Sequence, residues 1–561
     1  MQTSKATPLS RKQINLIFVG LLVVMLLSSL GQMIFSTALP TVVGELDGVS
    51  QMLWVSTAFI LASTITMPIY GKLSDTVGKK PLLIIAVALF VAGSVVGGLA
   101  QNMATLIIAR VVQGLGAGGL MVLSQATIAS IVPPKERGKY QGPMGAVFGV
   151  ASVAGPLLGG FFTEHLTWRW GFWLNVPLGI LALVAIVFLL REPIQQDGTK
   201  GPKVDVLGIM FMSLAVTSLV LWTSWGGRES SNGYAWSSWQ ILSLIGATAV
   251  FAVAFVVAEL KASDPVVPMR FFANRDFTLT TIAGLVMGVA MVGAIGYLPT
   301  YLQMVHGLDA TESGLMMIPM VVGLLIFGVV SGLIASKTSH YKWLPIVGTL
   351  IAAVSLFLLS TIEVTTSLTM LGVYLGILGA GLGMSMQMLV LVVQNSFPVT
   401  VVGTATASNN FFRQIGSTLG AALVGSIFVG RLTDLITERL APVIAQMQQS
   451  GADVSSLSGG TNSLTPSSVA ALPDEIKTPI LTSYNDALTP IFLWMVVPML
   501  VAFALLWFVR EKPLASELDL GEELELSADG PVFSASDEPT AEEIEFFERE
   551  LLQTGRTRTI E

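Results

Sequence analysis

The chain has 561 residues, of which 53% are hydrophobic and only 12% charged, about half the charged share of an ordinary soluble domain. This composition excludes a large soluble catalytic domain, and a net charge of -7 without a basic patch beyond membrane-flanking positions excludes a nucleic-acid binder. Zero cysteines exclude disulfides and thiolate chemistry, and His165, His306 and His340 are too far apart in sequence to offer zinc-ligand spacing, so neither metal nor cofactor is expected.

A helix needs about 20 apolar residues to cross a bilayer, so fourteen spans would place roughly 280 residues in lipid. The first apolar run starts at Ile14 behind Arg11 and Lys12. It continues unbroken past Ala38 without a small-residue cleavage site, so it reads as a retained helix and not as a secretory signal. Further spans are predicted at about 52–70, 81–100, 104–131, 140–162, 170–190, 206–225, 239–258, 278–301, 312–335, 344–362, 369–396, 403–430 and 488–509. Loops assigned to the inside carry fourteen Lys and Arg, from Lys72 to Lys342, against five outside: Arg169, Arg228, Arg431, Arg439 and Lys477. Positive residues stay on the cytoplasmic side, which puts both termini in the cytoplasm of a multi-pass plasma-membrane protein.

An internal repeat is visible in the glycines. Gly71, Gly142, Gly155 and Gly159 recur as Gly332, Gly403, Gly416 and Gly420, each pair separated by the same 261 residues. The predicted fold is therefore an all-α membrane protein with fourteen transmembrane helices, two six-helix pseudo-symmetric halves and two inserted helices, a plan shared by transporters that rock about a midplane site. Residues 1–200 form the first half, 201–275 the inserted pair with its linkers, and 276–510 the second half with an external loop at 431–487. In that loop Leu432, Leu435, Ile436, Leu440, Val443 and Ile444 keep helical spacing, which predicts a short amphipathic helix on the outer surface. The Ser/Gly-rich stretch 450–470 reads as flexible linker. Residues 511–561 hold fifteen acids against four cations, a net of -11, and read as a solvated cytoplasmic tail.

Three motifs carry chemistry. The loop GKLSDTVGKK, residues 71–80, places Asp75 near a helix end and Lys79 and Lys80 in the headgroup layer, whereas its second copy, GLIASKTSH at 332–340, has Ser336 in the place of Asp75 and Ser339 in that of Gly78. In RVVQGLGAGG, residues 110–119, Arg110 and Gln113 share a helix face, and a guanidinium at that depth has to face the protein interior. In GVASVAGPLLGGFF, residues 149–162, Pro156 bends the helix, and Gly155 and its neighbouring glycines smooth its surface. These motifs, with LWVSTAFILASTITMPIYGKLSD and PPKERGKYQG, resemble the major facilitator superfamily and, within it, the 14-span drug:proton antiporter-2 group of bacterial multidrug exporters.

The resemblance implies an Asp75 latch that holds the halves shut on the cytoplasmic side, a part for Arg110 in proton coupling, and export as the direction set by the Gly155–Pro156 motif. Arg110 as a structural tie between helices stays open. One departure is sharp: the group has an acid in span one, and this chain has Gly31 in LGQMIFSTALP. The acids closest to the membrane are Glu45, Asp47, Glu164, Asp205, Glu312 and Glu363, all near span ends. Glu312 and Glu164 are the candidate proton carriers, with interfacial capping as the other reading of each. Gln32, Gln125, Gln387, Asn409, Asn410 and Arg413 lie among Met- and Phe-rich apolar faces and are the candidate cavity groups, because Met adapts to promiscuous apolar ligands.

The expected function is a monomeric secondary exporter, not an enzyme, that moves hydrophobic cationic or neutral compounds outward with protons as the coupling ion. ATP is excluded as the driver by the lack of a G-x-x-x-x-G-K-[ST] loop. Export of a lipid or cell-envelope metabolite, or a non-transporting sensor that signals through the tail, are the rivals.

Overall fold

The computed structural model describes residues 10–46, 51–190, 205–227, 234–449, 469 and 472–515. Among these there are helices and turns and no strand beyond one isolated bridge between Gly226 and Tyr234. The first half comprises α1 (Arg11–Met33), α2 (Phe35–Glu45), α3 (Met52–Thr76), α4 (Lys79–Gly98), α5 (Met103–Ile131), α6 (Pro134–His165), α7 (Trp170–Trp173) and α8 (Asn175–Leu189). The inserted helices α9 (Val206–Trp225) and α10 (Trp239–Lys261) pack chiefly on each other. The second half comprises α11 (Arg275–Ile295), α12 (Leu298–Val305), α13 (Ala310–Leu315), α14 (Ile318–Thr338), α15 (Trp343–Leu359), α16 (Leu368–Asn395), α17 (Val402–Gln449) and α18 (Asp474–Trp507). Among the described residues, thirteen helical stretches are long and apolar enough to cross a bilayer, and α15 supplies a shorter fourteenth. The fold is thus that of a helical, multi-pass membrane protein.

Each half is built on its own apolar core, with α3 and α4 against α5 in the first and α14 and α15 against α16 in the second. The halves meet where α3 packs on α17 and α6 on α14. Four of the repeated glycines, Gly71, Gly142, Gly332 and Gly403, stand at these crossings, whereas Gly155, Gly159, Gly416 and Gly420 pack within their own halves. A Cβ on Gly71 would lie 2.1 Å from Ala407 Cβ and 2.9 Å from the Gly403 carbonyl, and one on Gly332 would lie 1.9 Å from the Gly138 carbonyl. Without side chains, the backbones approach closely enough to seal one face. This is the face that carries Lys79, Lys139 and Lys337, called the basic face below.

Several predicted spans are interrupted. The first was expected as one unbroken helix, but it is divided at Ile34 into α1 and α2. The physical reason is lateral: the Gly31 carbonyl, which the N–H of Phe35 would take in a continuous helix, accepts from Arg110 Nη1 at 2.8 Å. The span at 278–301 is divided at Gly296 and Tyr297, before a helix with proline in its first turn. These two breaks occupy equivalent places in the repeat. The span at 312–335 is likewise split into α13 and α14 around Met316 and Met317, with proline in the first turn of α14.

The outer segment also differs from expectation. The residues predicted as a separate surface helix do form a helix, but as the continuation of α17, which runs for 48 residues, about 72 Å at 1.5 Å per residue. Its stripe of Leu432, Ile436 and Leu440 is buried with Ile476, Ile480 and Tyr484 of α18, which starts at Asp474 and not near 488. Arg439 Nη2 pairs with Asp486 Oδ2 at 2.6 Å. A protein partner, not lipid, covers the apolar stripe. Of the predicted linker 450–470, only Val469 lies among the described residues.

The tail begins inside the fold. Arg510 N donates to Asp276 Oδ1 at 2.8 Å, and Glu511 Oε1 accepts the N–H groups of Tyr341 and Lys342 at 2.7 and 3.2 Å. Lys135 N, in the first turn of α6, donates to the Ala515 carbonyl at 3.1 Å. Residues 510–515 therefore bridge the two halves on the basic face, and the acidic remainder, 516–561, lies outside the described residues.

Candidate functional site

The loop between α3 and α4 turns at Gly78, whose φ of 97° suits glycine. This geometry delivers Asp75, buried at the end of α3, to the start of α17. Asp75 Oδ1 accepts the N–H of Gly403 at 3.0 Å, and Oδ2 accepts the N–H and the hydroxyl of Thr404, each at 2.7 Å. The first amides of a helix lack intrahelical partners and sit at the positive end of its dipole, so a carboxylate there is held by charge as well as by hydrogen bonds. Lys79 adds its field nearby, and Lys80 Nζ donates to the Val187 carbonyl at 2.8 Å. At the second copy, Ser336 Oγ is buried and without a partner.

Arg110 is 1% exposed. Its Nη1 donates to the Gly31 carbonyl at 2.8 Å and to Gln113 Oε1 at 2.6 Å, and its Nε to the Val55 carbonyl at 3.1 Å. The guanidinium carbon stands 4.2 Å from the ring centroid of Phe59 and 4.9 Å from that of Phe35, a stacking that offsets burial of the charge. Gln113 passes the network on to Ser94, 3.0 Å away, which Asn175 Nδ2 also reaches at 3.3 Å. Among the described residues no carboxylate is a hydrogen-bond partner of Arg110: main-chain carbonyls occupy the place of a counter-ion.

A second polar seam runs between the halves. Asn410 of α17 donates to Gln125 Oε1 of α5 at 2.7 Å and accepts from Arg413 Nη2 at 2.7 Å. Gln141 of α6 donates to Gln394 Oε1 of α16 at 3.0 Å, and Arg137 Nη1 donates to the Gln394 carbonyl at 3.0 Å. Gln125 Nε2 and Gln141 Oε1 are left buried and unpartnered, so these contacts join the halves without filling every polar valence. Arg413 also lines a small pocket with Met287, Met291, Met386, Leu382 and Leu389.

The other predicted residues scatter. Gln387 is buried near Gly145 with its Oε1 unpartnered, and Asn409 Nδ2 reaches Thr281 Oγ1 at 3.3 Å. Gln32 is half-buried. Gly155 packs on the α1–α2 break, where a Cβ would stand 2.4 Å from Met33 Cβ, and the Pro156 carbonyl accepts the Thr37 hydroxyl at 3.1 Å. Glu312 is exposed and forms a reciprocal cap with Asp309 at the start of α13. Glu164 is exposed at the end of α6. In the sequence Arg137 reads only as a loop charge, although the Pro-Pro pair before it marks a helix start and puts it in the first turn. Glu259, next to Lys261 at a predicted span end, does not stand out among the acids near the membrane, yet it is 2% exposed in α10.

Comparison with known proteins agrees with this architecture. Residues 21–421 match the Major Facilitator Superfamily. An uncharacterised MFS-type transporter of Mycobacterium tuberculosis is 38% identical over 518 residues, 91% of this chain and 71% of that one. The multidrug transporter protein MdtP of Bacillus subtilis is 37% identical over 444 residues, 79% of this chain and 80% of that one. The crystal structure of the human organic anion transporter MFSD10 superposes with a TM-score of 0.57 at 14% identity, covering 89% of this chain and all of the other.

Proposed function

From the premise that the chain belongs to the major facilitator superfamily, and is therefore a membrane transporter and not an enzyme, we propose that it exports hydrophobic drug-like compounds across a bacterial plasma membrane by alternating access. The basic face is the cytoplasmic one, and both termini lie there. The single observation that carries the reading is the Asp75 contact with the start of α17, because it fastens the two halves together on one face through a bond that rocking can break and remake. The Met-rich pocket beside Arg413 holds only about 10 Å³, far below the roughly 300–1,000 Å³ of a drug-sized site, so a ligand can enter only after the halves rock apart; its methionines would then adapt to varied apolar shapes.

Protons are the proposed coupling ion. Because Gly31 replaces the span-one acid and Arg110 is tied to carbonyls, their carrier lies outside that pair. Efflux from loaded proteoliposomes, with and without an imposed pH gradient, tests both parts. Gradient-driven loss of an apolar dye supports coupled export, and loss at the same rate without a gradient removes the coupling. A second reading, export of a lipid or envelope metabolite, is favoured by the α17–α18 extension, which would stand outside the membrane. Dye efflux that survives removal of residues 431–487 counts against it.

A further inference from the structure

Glu259 and Asp205 lie at one end of the inserted helix pair. Glu259 Oε2 accepts the N–H of Val267 at 3.0 Å, while Oε1 is buried without a partner. Asp205 caps α9, its Oδ1 accepting the N–H of Gly208 at 2.8 Å, while Oδ2 is likewise buried and unpartnered. The two orphan oxygens face one point: a Cβ on Gly208 would sit 2.4 Å from Asp205 Oδ2 and 2.7 Å from Glu259 Oε1. Among the described residues, Lys72, from α3, is the other charge that acts on Glu259, and it is ion-paired with Asp264, from the connection after α10.

Two ionised carboxylates in a dry pocket repel, whereas one proton between them turns two orphan acceptors into an O–H···O bond. We propose that Asp205 and Glu259 form a proton-binding site that seats the inserted pair against α3. With the proton bound, the start of α9 is held to the end of α10. When pH rises and the proton leaves for water at the basic face, two like charges remain and push those ends apart. Lys72 carries the effect onward. It is next to Gly71 and three residues before Asp75 on α3, so loosening its pairing with Asp264 bears on the helix that holds the halves shut. Gly208 leaves the room in which the two oxygens meet.

Infrared titration of the purified full-length protein in detergent reads the site without substrate or gradient, so its failure is separate from failure of the export reading. The wild type is expected to show a protonated-carboxyl stretch at neutral pH that shifts in D2O and vanishes as pH is raised. Glu259→Gln and Asp205→Asn should each lose that titrating band, since either amide can donate to the remaining carboxylate; Asn also keeps the cap of α9. Circular dichroism identifies the folded variants. A wild-type spectrum without the band, or a band that survives in either folded variant, overturns the proposal.

Discussion

At the end of α3 a carboxylate takes three hydrogen bonds from the start of α17, whereas at the end of α14 the equivalent side chain, Ser336, is a buried hydroxyl with none. The backbones around the two are alike, with bare glycines pressed against the partner helix at Gly71–Gly403 and at Gly332–Gly138. The same contrast recurs deeper in the membrane. Arg110 and Gln113 of the first half have Leu371 and Tyr374 at the equivalent repeat positions, both buried in an apolar core. The repeat therefore dictates where helices touch, and polar chemistry added to one copy dictates which contact can switch. Packing by small residues is insensitive to voltage and pH, so both halves can share it. A charged contact responds to both, and at these two equivalent positions the first copy has it and the second does not.

Variants of the two copies sharpen this contrast. The largest effect is expected at Arg110, where truncation leaves two carbonyls and Gln113 Oε1 without their donor; each buried acceptor left unpaired costs about 1–3 kcal/mol. Arg110→Ala is expected to lower the melting temperature in detergent and abolish efflux. Arg110→Lys should export well below the wild-type rate, because an ammonium lacks the planar fork that reaches Val55, Gly31 and Gln113 together. Wild-type efflux by Arg110→Lys would make the planar fork irrelevant. Next is Asp75→Asn, which replaces a charge-assisted cap by a neutral one and forfeits part of the about 1.5–3 kcal/mol that such bonds contribute. Efflux at matched expression should fall several-fold. Ser336→Ala, its counterpart, removes a buried hydroxyl that makes no hydrogen bond, so it should leave stability unchanged or raise it by about 1 kcal/mol and leave efflux intact.

Restoring the missing acid is expected to harm the fold and not repair it. A Cβ on Gly31 would stand 2.6 Å from Phe90 Cζ, and overpacking of this kind costs about 1–3 kcal/mol. Gly31→Asp should lower the melting temperature, and shortening Phe90 to Leu should recover it; a stable Gly31→Asp protein with new pH-dependent efflux would contradict that. The smallest effect belongs to the second loop, where Ser339 takes φ 59° in the place that Gly78 fills in the first. Ser339→Gly should stabilise by about 1 kcal/mol or less, because relief of the roughly 1–2 kcal/mol left-handed penalty is partly offset by glycine's greater freedom in the unfolded chain. Thermal melting of the purified variant checks it.

The spans and the glycine repeat were legible because both are local or periodic: an apolar run is its own signal, and four glycines at one offset need no partner to be seen. The break at Ile34 was not legible, since its cause is a guanidinium from α5 that reaches the Gly31 carbonyl across 79 residues of chain. The long reach of α17 was missed because Gly430 was read as an end, although nothing there stops a helix and α18 supplies a cover. Asp75 was identified by its loop, but its partner, the start of α17, depends on how the halves dock. Glu259 was passed over near a span end, where its neighbour Lys261 suggests an interface. Only the fold brings Asp205 to it.

On the basic face, then, Asp75 adds a switchable bond to the packing of α3 on α17, whereas its repeat counterpart Ser336 adds none to the packing of α14 on α6. The chain has no cysteine, so spin labels at Lys139→Cys on α6 and Lys337→Cys on α14, both exposed near the Gly138–Gly332 crossing, report the distance across that face without interference. A short distance is expected as the main population in the otherwise wild-type protein, with a longer population that grows in Asp75→Asn and no change in Ser336→Ala. Equal distance distributions in all three proteins, or opening by Ser336→Ala as large as by Asp75→Asn, would contradict this contrast between the copies.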